Sequence, residues 1–131
     1  MDNATLLLVG RILFGGMFVF SGLNHFMKSG MMIKMLKSKK LPAPGLLNLI
    51  AGLLLLGGGL GVVLGVYINY ALWALVLFLA GASFLFHAFW KEKGGEGKMT
   101  QMRYFMSNMA LAGAALAMLS ISQPWIYSLV L

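Results

Sequence analysis

Cysteine is absent from the chain. That absence excludes disulfide relay chemistry, thioether attachment of a c-type haem and any iron–sulfur cluster held by thiolates. Acidic residues are nearly absent too: Asp2, Glu92 and Glu96 are the only three in 131 residues. None of them falls within a long apolar stretch, so a cation inside such a stretch has no carboxylate beside it. Charge of either sign is missing from Leu41 to Trp90, a run of 50 residues. A membrane-spanning helix takes ~20 apolar residues, so this run is too long for one span and fits two with a tight turn. Ala4 to Met27 carries a single charge, Arg11, and Tyr104 to Leu131 carries none.

What is present fits the same picture. The chain is 60% hydrophobic and 10% charged, against about a quarter charged in a soluble domain. The expected fold is all-α: one transmembrane domain, a polytopic four-helix bundle in the cell membrane, with spans near 4–27, 46–64, 67–90 and 101–120. Such a chain has no room for a soluble catalytic module, and no residue is assigned a catalytic role. The net charge of +7 is not a nucleic-acid footprint, because the basic residues sit in two short loops. Lys28, Lys34, Lys37, Lys39 and Lys40 follow span one; Lys91, Lys93, Lys98 and Arg103 follow span three. The positive-inside rule makes both loops cytoplasmic and both termini external. The lack of Lys or Arg ahead of span one agrees with that orientation and argues against a cleaved signal peptide. Lys28 to Lys40 is amphipathic and basic, a short interfacial helix for anionic headgroups. Pro42 and Pro44 break it before span two. Lys91 to Thr100 is expected to be a glycine-rich loop, and Trp125 and Tyr127 suit the outer interface.

Polar residues inside the spans require an account, because lipid cannot satisfy them. In span one, Arg11, Gly15, Phe18, Gly22 and His25 share a helix face, as do Asn69, Trp73, Val76, Ala80, Ser83 and His87 in span three. Both stripes are expected to face the bundle interior. His25 and His87 then lie at similar depth near the lysine-rich end, with Ser21, Asn24, Asn48 and Asn108 around them. Arg11 and Asn69 form the matching pair at the other end. Each histidine is equally a structural hydrogen-bonding residue, and Asn48 and Asn108 equally interhelical glue. Arg11 is open to four outcomes: snorkelling, pairing with Asp2, binding carbonyls at the Gly61–Gly65 end of span two, or holding an anionic or carbonyl-bearing ligand. Small residues (Gly57, Gly61 and Gly65; Ala110, Gly113, Ala114 and Ala117) are expected to mark close helix contacts. Eight of eleven methionines gather near the lysine-rich end. Thioether with imidazole suits Cu(I), which makes His25, His87 and Met106 the candidate metal ligands; apolar filling by methionine is the competing account.

The chain resembles the DoxX family of small membrane proteins. The likeness rests on Arg11-Ile-Leu-Phe-Gly15, Ser21-Gly22-Leu23-Asn24-His25, Pro42 and Pro44 before a glycine-rich span two, His87, and Asn108-Met-Ala-Leu-Ala-Gly113. It runs from about Leu7 to Leu119. Many members carry a Glu in the middle of span two; here Leu53-Leu54-Leu55-Leu56 stands there. The resemblance implies an accessory subunit of a redox-linked membrane complex, whose partners are lipids, other membrane subunits or further copies of itself. The alternatives are a quinone- or lipid-binding oxidoreductase subunit with its polar site at His25 and His87, and haem or copper held by His and Met. The likeness of the bundle to vitamin K epoxide reductase carries no chemistry over, since that chemistry uses cysteine pairs.

Overall fold

A computed structural model describes residues 1–129, and these are helical with no strand. Helix α1 (Asn3–Met27) opens at Asp2, whose carboxylate accepts from the Thr5 N–H at 2.7 Å. That bond satisfies one of the orphan donors of the first turn and holds the Asp2 carboxyl below its usual range. Helix α2 (Ser29–Ser38) is the expected basic amphipathic segment. Helix α3 (Pro44–Leu64) begins earlier than the proline break suggests, because Pro44 occupies its first turn, where no N–H is needed. Gly65, with φ of +72°, ends it in the left-handed region that favours glycine.

The third apolar stretch is not one regular helix. Helix α4 (Ile68–Gly81) runs into a π-helical turn over Ala82–Phe86, closed by His87 N–H to Ala82 O at 2.9 Å. A short 3₁₀ turn, Phe89–Lys91, follows. Helix α5 (Gly95–Met118) starts six residues before the expected Gln101 and absorbs the last six residues of the expected loop. Glu96 sits in its first turn, where a negative charge meets the positive end of the helix dipole.

Consecutive long helices pack in chain order: α1 on α3, α3 on α4, α4 on α5, with α2 laid against α3. Among the described residues α1 and α5 make no backbone approach of comparable extent. The core is built from Phe18, Leu55, Val62, the Leu72, Leu75 and Leu79 face of α4, and Ala112 and Ala115 of α5. Large apolar side chains such as Leu13, Phe20, Leu53 and Leu77 point outward, a surface that suits lipid. Asn3–Met27, Pro44–Leu64 and Ile68–Lys91 are long and apolar enough to cross a membrane. α5 is of similar length, but Glu96, Lys98, Gln101 and Arg103 make its first half polar.

The stripes fare differently. Arg11, Gly15, Phe18 and Gly22 are the buried residues of α1, as expected. In α4 the buried face is Ile68, Ala71, Leu72, Leu75 and Leu79; Asn69 and Trp73 are exposed, so the polar stripe there does not face inward. Ala110, Gly113, Ala114 and Ala117 are exposed as well, and the small residues that α5 buries are Ala112 and Ala115. Gly57 is also exposed; close approach of α1 and α3 occurs at Gly15, Gly22 and Gly59. Trp125 is 3% exposed. It packs under Arg11, while Tyr127 stays exposed.

Candidate functional site

Arg11 is fully buried, and its whole guanidinium is engaged by backbone carbonyls. Nε donates to Val62 O at 3.1 Å, Nη2 to Val63 O at 2.8 Å and Tyr127 O at 3.4 Å, and Nη1 to Ile126 O at 2.7 Å. The Trp125 ring lies beneath, 5.6 Å from the guanidinium carbon. The physical reason is the end of α3. A helix leaves its last four carbonyls without intrahelical partners. Here Gly61 O takes the cap N–H, Val62 O and Val63 O take Arg11, and Leu64 O takes Leu129 N–H at 2.9 Å. The cation also faces the negative end of the α3 dipole. Of the four outcomes for Arg11, carbonyl pairing is the one found. Asn69 is not its partner; the Asn69 Oδ1 accepts from Gln123 Nε2 at 2.8 Å.

At the lysine-rich end, His25 and His87 line one cavity of about 450 Å³. α2 roofs it with Met32, Met35 and Leu36, and Leu47, Ile50 and Leu54 of α3 form a wall. Phe78, Leu85 and Phe86 supply the opposite side. The π turn is what brings His87 here. Five residues of regular α-helix rotate by about 500°, roughly 140° past a full turn, which would separate His87 from Ala82. The wider turn stacks them, and both line the cavity. Ser83, on the stripe with His87 in regular register, is instead buried elsewhere with its hydroxyl unpartnered.

Both imidazoles are held by amides. His25 Nδ1 lies 2.8 Å from Asn48 Oδ1, and Asn48 Nδ2 donates to the His25 backbone oxygen at 3.0 Å. His87 Nδ1 lies 2.8 Å from Gln101 Oε1. Asn48 thus joins the site from behind His25. Ser21, Asn24 and Asn108 do not line the cavity, and neither does Met106, which is 61% exposed on α5. The thioethers that reach it are Met32 and Met35. Among the described residues no group of three or more His, Cys, Asp or Glu side chains is placed to hold a metal.

Three contributors have no clear mark in the sequence. Gln101 lies at the edge of what reads as a loop, and its polarity 14 residues past His87 is the one available signal. Lys39 bonds Glu92 at 3.1 Å and stacks 5.6 Å from the Phe86 ring. That contact ties the end of α2 to the segment after His87. Chemically the cavity is an apolar chamber with two imidazoles, suited to an amphiphile with a small polar head.

No curated protein and no solved structure matches the chain. The family model that does match spans residues 6–88, which takes in Arg11, His25, Asn48, the π turn and His87 and leaves α5 outside. The chain belongs to the DoxX family.

Proposed function

We propose that this chain is a four-span protein of the cell membrane, with both termini outside, that binds a lipid-soluble amphiphile of the quinone class between His25 and His87. The observation that carries this reading is the convergence of the two imidazoles on one otherwise apolar cavity. An isoprenoid or alkyl tail gains by contact with Leu36, Leu47 and Leu54, and a ring bearing oxygen substituents gains by hydrogen bonds to the histidines. In this role the protein is a binding subunit and no side chain of its own carries electrons. Native mass spectrometry after gentle extraction tests it. A mass above 14.2 kDa by one quinone, lost in His25→Ala or His87→Ala with helicity kept, supports the reading. Ligand retained in both variants sinks it. Added mass from haem, with a Soret band, or from copper assigns the same cavity to metal chemistry instead.

A second feature favours service as an accessory subunit in a larger, redox-linked complex. α3 and α4 flank an apolar groove of about 540 Å³ whose floor includes the exposed Gly57. A groove floored by glycine admits a helix from another subunit closely. Co-release with larger, unrelated membrane subunits supports this role; release as a single chain counts against it.

A further inference from the structure

We infer that Asn48 fixes His25 as a hydrogen-bond acceptor, so that the cavity takes the hydroxyl-bearing, reduced form of its amphiphile in preference to the carbonyl-bearing form. This inference rests on the reading of the cavity as an amphiphile site and names the redox state that it selects.

The contacts of one amide settle its orientation. Asn48 is 4% exposed and sits between the ring and the backbone of His25. His25 O is one of the last four carbonyls of α1, freed because the helix breaks at Lys28. It accepts from Asn48 Nδ2 at 3.0 Å. Exchanging the nitrogen and oxygen of Asn48 would set two oxygens against each other at that distance. The amide oxygen is therefore the atom that meets His25 Nδ1 at 2.8 Å. An amide oxygen only accepts, so Nδ1 carries the proton. A neutral imidazole has one N–H, which leaves Nε2 as a bare lone pair. His87 Nδ1 meets the Gln101 side-chain amide at the same distance.

The rest of the lining decides the consequence. Apart from the two histidines it consists of Met, Leu, Ile, Ala, Gly and Phe. At His25 the chamber offers an acceptor, and the apolar side chains around it add no donor. A ring bearing a hydroxyl group satisfies that acceptor. A ring bearing carbonyls finds no donor at His25, so its oxygen there and the His25 Nε2 lone pair stay unpaired against an apolar lining. Asn48 is thus a positioning residue that acts through His25.

Binding of two probes to the wild-type protein in lipid nanodiscs provides the test: a decyl-substituted benzohydroquinone, kept reduced under anaerobic conditions, and the matching decyl-benzoquinone. Calorimetric titration is expected to give the hydroquinone an affinity at least about tenfold higher, the scale of one hydrogen bond to a buried acceptor. Nitrogen-15 spectra of the histidine rings are expected to show His25 protonated at Nδ1 in the wild type. In Asn48→Leu the preference for the hydroquinone is expected to shrink. Equal affinities, tighter quinone binding, or a His25 ring protonated at Nε2 overturns this inference while leaving the cavity as an amphiphile site. Binding of neither probe overturns both.

Discussion

A guanidinium inside an apolar fold needs all its N–H donors occupied and its charge balanced. At Arg11 the balance comes from carbonyl dipoles, two of them from the open end of α3, and from the face of the Trp125 ring. Arg11→Ala is expected to strand Val62 O and Val63 O, at about 1–3 kcal/mol for each unpaired buried carbonyl. Arg11→Lys is expected to recover only part, because an ammonium lacks the planar fork that reaches several acceptors together. Thermal unfolding in detergent, followed by circular dichroism, checks both; an Arg11→Ala midpoint equal to the wild type would refute the account. At this scale the sequence was informative about need rather than partner. The absence of an acid within the span showed that Arg11 needed an outlet, whether solvent, Asp2, carbonyls or a ligand. That two of those carbonyls belong to Ile126 and Tyr127 was hidden, because a contact across 115 residues leaves no local pattern. The same holds at Asn48, where polarity was visible and its grip on both ends of His25 was not.

Helix positions were the most legible part of the chain, since long uncharged runs leave few alternatives. Faces were less so. The α1 stripe reads correctly because a cation and two small residues, Arg11, Gly15 and Gly22, stand out on one face, and Gly15 and Gly22 lie against α3. The α4 stripe reads wrongly because in lipid a leucine face is as welcome in the core as outside it. Hydropathy therefore does not choose between faces, and the π turn then shifts the register at the one residue that matters. Glycine contacts give a direct check on the packing. A methyl added at Gly59 would stand 2.7 Å from both the Gly15 carbonyl oxygen and the Val19 nitrogen. Gly59→Ala is expected to push α1 off α3 and destabilise the fold by about 1–3 kcal/mol. Gly57→Ala, whose methyl meets nothing within 4 Å, is expected to be neutral or to gain up to about 1 kcal/mol from helix propensity. The order of the two melting temperatures decides the matter; equal loss in both variants would contradict the assigned contact.

The absence of cysteine makes the whole molecule a convenient one for mapping which side each loop faces. Ser38→Cys and Gly97→Cys, in the two basic segments, are expected to react with a membrane-impermeant maleimide only after the cell is opened. Ser120→Cys, past the end of α5, is expected to react in intact cells. Labelling of all three positions from the same side would remove α5 from the count of spans. Seen whole, α1, α3, α4 and α5 form a row in which each helix leans on its neighbour. The stretch around residues 125–129 returns to the beginning, through Arg11 and the end of α3. This has a consequence for biogenesis. During synthesis α1 enters the bilayer with its cation short of two acceptors, and it keeps that deficit until residue 127 has been made. The clasp that closes the row is thus the last contact to form. Nascent chains stalled before that point should be the ones that quality-control proteases recognise.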